Sequence, residues 1–138
     1  MHVQAYLSFS GRCEEALAFY TKSLGAEVKE LMRWKDSPDP AMQSPPGYEE
    51  KIMNAAFCIG DTWLMADDGM GEKPAEFKGM TLTIEVANDV EARRVFAALG
   101  EGGRVNMPLM KTFWTSSFGM LTDQFNVPWM VNVAAQKA

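Results

Sequence analysis

"KTFWTSSFGMLTDQFNVPWMVNV", Lys111 to Val133, holds two of the chain's four tryptophans, and how it is read decides the fold. Ser116–Thr122 and Pro128–Val133 each alternate apolar with polar or small residues, the period-2 pattern of a half-buried strand. Between them Asp123, Phe125 and Asn126 form a turn, with Asn126 expected in the left-handed region that Asn tolerates better than most residues. The stretch is therefore a β-hairpin, with Phe113 and Trp114 just ahead of its first strand. Rings this dense either pack a core or line a pocket. Trp129 is expected in the core; for Trp114, near a turn, both readings stand.

Working outward, the hairpin closes the second of two similar units. Val3–Phe9 alternates like a strand, and Ser10-Gly11 turns the chain into a helix whose apolar face is Cys13, Ala16, Leu17, Tyr20 and Leu24, ended by Gly25. Strands follow at Val28–Trp34, Lys51–Ile59 and Thr62–Asp67, the last two joined across Gly60-Asp61. The order β-α-β-β-β then recurs. Met80–Val86 is a strand, Asn88 with Glu91 resembles a capping box, and Ala92, Val95, Phe96 and Leu99 face inward from a helix ended by Gly100. Val105–Met110 and the closing hairpin complete the set. Laying Leu24-Gly25 on Leu99-Gly100 also lays Tyr20 on Val95, Leu17 on Ala92 and Leu7 on Leu82. Trp63-Leu64-Met65 matches Trp129-Met130-Val131 at a slightly different offset. The expected organisation is one domain over 1–138, built from units at 1–68 and 80–138 with a linker at 69–79. Lys35–Glu50, with four prolines and no periodicity, is read as either a lid or a disordered loop.

Composition bounds the function. A chain of 138 residues, 47% hydrophobic, buries about two thirds of its unfolded surface as one domain. Net charge −5 repels phosphate backbones and anionic lipid, so nucleic acid and membrane are poor partners. No apolar run reaches the ~18 residues of a membrane span, and "MHVQAYLSFSG" has neither the basic nor the apolar region of a signal peptide, so a cytoplasmic protein is expected. Cys13 and Cys58 fit no spaced motif and read as reduced thiols. At a helix start the dipole could lower the Cys13 pKa, against the plainer reading of a small apolar residue on the inner face.

With the duplicated unit and the ring-rich hairpin in hand, "YLSFSGRCEEALAFYTKSLGAEV", "EKIMNAAFCIGDTWLMADD" and "FWTSSFGMLTDQFNVPWMVN" resemble PhnB-like proteins of the vicinal oxygen chelate superfamily, which includes glyoxalases, bleomycin-resistance proteins and extradiol dioxygenases. The resemblance implies an α+β, glyoxalase-like fold of two βαβββ modules forming half-open sheets around a central cleft. It also implies a divalent metal held by His and Glu from equivalent strands, and a homodimer. The implied ligand positions fall near Ala5 and Thr81, around Leu64–Ala66 and around Met130, where no His, Glu or Asp stands. His2 lies an odd number of residues from Ala5 and points to the other face. Asp67 is within one register slip, but one carboxylate makes no cage. Asn54 stands where similar proteins often carry His. Some relatives bear the label demethylubiquinone methyltransferase, yet Gly100, Gly102 and Gly103 leave a helix and enter a strand, the reverse of a nucleotide-binding turn.

What remains is an apolar cleft with a few hydrogen-bonding groups, mostly neutral: Tyr6, Ser8, Asn54, Asp67, Thr81, Thr83 and Asn132, with Trp114 at its edge. The expectation is a small uncharged or weakly polar ligand, no cofactor, no metal, and no assignable catalytic residue. The alternative is a metal-dependent lyase, isomerase or dioxygenase with non-standard ligands. Met53, Met65, Met107, Met110, Met120 and Met130 are expected to fill the core. A homodimer is expected from edge strands and from apolar surface around Trp34, Trp63, Phe77 and Phe118.

Overall fold

A computed structural model describes residues 1–71 and 74–135. The chain divides into two compact units, Met1–Ala75 and Glu76–Ala138. In the first, β1 (Tyr6–Ser8), α1 (Cys13–Leu24), β2 (Glu27–Arg33), β3 (Ile52–Ile59) and β4 (Thr62–Asp67) form a sheet of order β1-β4-β3-β2 carrying one helix. In the second, β5 (Leu82–Val86), α2 (Asp89–Gly100), β6 (Arg104–Met110), β7 (Phe118–Thr122) and β8 (Pro128–Val133) form a sheet of order β5-β8-β7-β6. In each sheet the first strand runs parallel to the last, and the other pairs are antiparallel. The fold is α+β with two four-stranded mixed sheets, and the repeat of connectivity is complete.

Each helix covers one face of its own sheet. From α1, Cys13, Ala16, Leu17 and Tyr20 are buried, and Tyr20 lies parallel to Phe57 of β3 with centroids 6.3 Å apart. Fully burying a side chain the size of Leu17 or Phe57 stabilises by about 1.5–3 kcal/mol. Gly25 ends α1 in the left-handed region, its N–H returning to the Thr21 carbonyl. Asn88 caps α2 by accepting from the Glu91 N–H at 2.9 Å. Gly119 of β7 lets α2 come close: a Cβ there would stand 2.7 Å from the Phe96 ring. That accounts for the Phe118-Gly119 pair in the opening stretch, one ring on the open face and no side chain where the Phe96 ring packs beneath the helix.

The closing hairpin is organised by Asp123, 1% exposed. Its carboxylate accepts from the N–H groups of Phe125 and Val127 and from the Trp129 indole at 2.9 Å. Asn126 adopts φ 71°, as the turn requires. Residues 35–50 run from a short 3-10 turn at Trp34–Asp36 and return to β3. Backbone bonds from Trp34 to Lys51 and from Lys35 to Glu49 close the base of this long loop.

Several expectations are corrected. Strand β1 starts at Tyr6, with Val3 almost wholly exposed, and Thr81 lies ahead of β5. Gly100 is the last helical residue, and the left-handed residue is Gly102. Trp63 and Trp129 do not correspond: Trp129 faces the helix at 3% exposure, whereas Trp63, paired with Cys58, is 43% exposed on the other face. None of the six methionines belongs to the buried core. Met65, Met107, Met120 and Met130 pair within rows on the faces away from the helices. Trp34 is buried rather than surface-lying.

Asp68, 2% exposed, ties the first unit together. Its carboxylate accepts from Cys13 N–H at 2.7 Å and Ile52 N–H at 2.6 Å, and its own carbonyl accepts from Gly11 N–H. Asp68→Ala strands two buried donors and should cost about 3 kcal/mol in denaturant unfolding with an unchanged m-value. A loss under about 1 kcal/mol would show that water replaces the carboxylate.

Candidate functional site

Pairing fixes which side chains share the open face of the first sheet. Tyr6 pairs with Met65 and Ser8 with Asp67; Asn54 lies opposite Met32, and the neighbouring Ala55 pairs with Ala66. Tyr6, Ser8, Asp67 and Asn54 thus stand on the side opposite Leu7 and Phe57. The structure draws three of them together. Asp67 accepts from the Tyr6 hydroxyl at 2.9 Å, from the Ser8 hydroxyl at 2.6 Å and from Gly69 N–H at 2.9 Å. Asn54 is exposed one strand further across.

This arrangement pushes the Tyr6 phenol well above its ordinary value. Burial of the hydroxyl leads, although about half of the residue is exposed, followed by the hydrogen bond to Asp67 and its charge. Tyr6 is therefore a hydrogen-bond donor at neutral pH and no base. Cys13 is likewise raised, by burial first and then by the charges of Asp68 and Asp67. The helix dipole does not win, and the thiol stays protonated on the inner face.

The second unit holds Thr83 on β5, Asn132 on β8 and Trp114 in the segment ahead of β7. Thr83 donates to the Met130 sulfur at 3.8 Å. Trp114, 47% exposed, is nonetheless held in place: its indole N–H donates to the Asn132 side-chain Oδ1 at 3.1 Å, and the rings of Phe113 and Phe118 meet it edge-on at 4.9 and 5.2 Å. Thr81 is half-buried just before β5. Sequence reasoning missed a neighbouring group, in which Ser116 and Ser117 donate to Asp89 at 2.6 and 2.7 Å and hold its carboxyl below the usual carboxylate range. Asp89, Trp114 and Ser116 line a depression of about 470 Å³. A second depression, about 440 Å³ beside Lys29, Cys58 and Trp63, opens in the first unit. The Ser-Ser pair was a readable signal; its helix partner was not, being 27 residues away.

The implied metal positions do not fit a hard divalent ion. Ala5, Thr81 and Met130 offer no anionic donor, and the Asp67 oxygens already serve three donors. Among the described residues, no three His, Cys, Asp or Glu side chains converge.

Comparison with known proteins follows the same lines. The family described as 3-demethylubiquinone-9 3-methyltransferase matches residues 1–132. Protein YjdN from Escherichia coli K12 is 35% identical, covering 99% of this chain and 98% of its own. Protein PA1353 from Pseudomonas aeruginosa is 39% identical with TM-score 0.86 over 99% of both chains. The PhnB protein from Bacillus cereus is 27% identical with TM-score 0.81, over 97% of this chain and all of that one. Likeness of fold alone extends to the fosfomycin resistance protein FosX from Mesorhizobium loti, at 14% identity and TM-score 0.63 over 96% of this chain and 90% of that one.

The Tyr6–Asp67 pair is directly testable. Asp67→Asn should bring the Tyr6 phenol back toward 10, read by ultraviolet titration. Because the folded phenol titrates above the unfolded one, folding stability is undiminished below pH about 10 and falls as pH rises beyond it. Asp67→Asn should flatten that alkaline loss; an unaltered Tyr6 titration would show that burial alone sets the shift.

Proposed function

The chain belongs to the PhnB-like 3-demethylubiquinone-9 3-methyltransferase family, on the glyoxalase-like fold of the vicinal oxygen chelate superfamily, and from that premise we propose that it binds a small, uncharged or weakly polar molecule without the superfamily's divalent metal. One observation carries the reading. The polar groups on the open sheet faces are set in place by one another, Tyr6 and Ser8 on Asp67 and Trp114 on Asn132, among thioethers and ring edges. Groups fixed in advance lose little freedom when a ligand arrives, so affinity is spent on contact rather than on ordering. Asn54, Thr81 and Thr83 add neutral donors and acceptors.

The family's methyl-transfer name finds little support in the local chemistry. A nucleotide-type donor uses the open N–H groups of a helix start. Here the α1 start is capped by the Asp68 carboxylate, and the α2 start by Asn88 with Asp89 and Glu91 beside it. The competing reading is a metal-dependent lyase, isomerase or dioxygenase with non-standard ligands, for which Asp67 is the nearest carboxylate.

Thermal unfolding of chelator-treated protein across a metabolite panel tests the proposal, since a ligand of the folded state at 100 times its Kd adds about 2.7 kcal/mol. Neutral hits should stabilise without added metal, and Trp114→Ala should weaken them by about tenfold. One divalent ion per chain, required for every hit, would favour the enzyme instead.

A cytoplasmic homodimer completes the reading. No helix among the described residues is long and apolar enough to cross a membrane. Trp63, Trp114 and Phe113, the last 98% exposed, supply apolar surface for a partner. Sedimentation in reducing buffer should give twice the chain mass of 15.3 kDa, and a single species at the chain mass would remove the dimer.

A further inference from the structure

Three methionines occupy one row across the second sheet. Met107 of β6 pairs with Met120 of β7, Met120 with Met130 of β8, and Met130 with Thr83 of β5. Directly opposed residues share a face, with Cβ atoms about 4.5–5.5 Å apart, so three thioethers on flexible stems can meet at one point. The backbone is irregular on both sides of Met107, and such breaks re-aim a side chain. The Asn106 side chain ties down one of them by donating to the Thr122 hydroxyl at 2.9 Å. At the other end, Thr83 donates to the Met130 sulfur at 3.8 Å, so one thioether already acts as an acceptor oriented within the row.

The row is not core. Met107 is 36% exposed, Met120 and Met130 are half-buried, and all stand on the face away from α2. Nor is it a general feature of this sheet type, because the row Tyr6–Met65–Ala56–Glu30 in the first sheet holds a single thioether. Thioethers are neutral, soft donors, a poor match to the hard divalent ions of the superfamily and a good match to Cu(I). The row next to Met130 carries Glu85, which favours a cation; Arg104, in the row beyond on β6, opposes it.

We propose that Met107, Met120 and Met130 form a binding site for a soft monovalent cation, Cu(I) or its analogue Ag(I), in a trigonal set of thioether sulfurs. The inference is independent of the small-molecule reading above, since it concerns a different ligand and different donor atoms.

The test is an Ag(I) titration of the full chain labelled with 13C at its methionine methyls. The Met107, Met120 and Met130 signals should shift together and saturate at one equivalent, and persist in Cys58→Ser, which removes the more accessible thiol. Met120→Leu should weaken binding at least tenfold, with Met107→Leu as the second variant if the first loses its fold. The site is refuted if the exposed Met1, Met42 and Met70 signals move in parallel without saturation. It is equally refuted if the shifts vanish in Cys58→Ser, or if both leucine variants titrate like the parent chain.

Discussion

Helix α1 begins without a capping side chain of its own, and the carboxylate of Asp68 supplies what it lacks from the residue after β4. The same carboxylate satisfies the first N–H of β3. One buried acid therefore joins a helix start to β3 and β4, a hairpin far from it in sequence. The dependence runs outward from there. With α1 held over β3 and β4, Tyr20 can stack on Phe57, and the opposite sheet face is left to Tyr6, Ser8 and Asp67. Two adjacent acids thus do different work: Asp68, just past β4, turns inward onto the N–H groups of Cys13 and Ile52, and Asp67, on the open face, holds the Tyr6 and Ser8 hydroxyls and the Gly69 N–H.

The second unit solves a similar problem differently. Its helix has its own cap in Asn88, and its buried acid, Asp123, organises the hairpin turn instead. The Trp129 indole N–H would be costly to bury alone, and Asp123 satisfies it. Trp114 takes its partner from Asn132 on the open side. The two tryptophans of this segment end on opposite sides of the sheet, each with its indole N–H hydrogen-bonded. The difference between core and candidate recognition surface here is one of position and not of residue type: Trp129 has the inward parity of β8, and Trp114, ahead of β7, bonds to Asn132, which has the outward parity.

That parity also explains the open faces. A helix covers only one side of a four-stranded sheet, and the other side retains the thioethers, the pinned rings and the hydroxyls. Flexible methionines and fixed hydrogen-bonding groups are a mixture suited to receiving ligands, whereas a closed core would favour branched aliphatics.

The sequence by itself determined the element order, the repeat, both helices, the hairpins and the left-handed Asn126, because these follow from local periodicity and turn chemistry. It also puts no His, Asp or Glu at Ala5, Thr81 or Met130, where the family resemblance implies metal ligands. It misplaced Trp63 against Trp129 because two strands can match in letters while differing by one in register, and one step exchanges faces. It put the methionines in the core because side-chain chemistry does not say which face of a sheet a helix covers. Only the tertiary structure decided the partners of Asp67, Asp68 and Asp89, the pinning of Trp114 and the alignment of Met107, Met120 and Met130. Each depends on contacts between strands or loops distant in the chain, and a linear pattern carries no information about those distances.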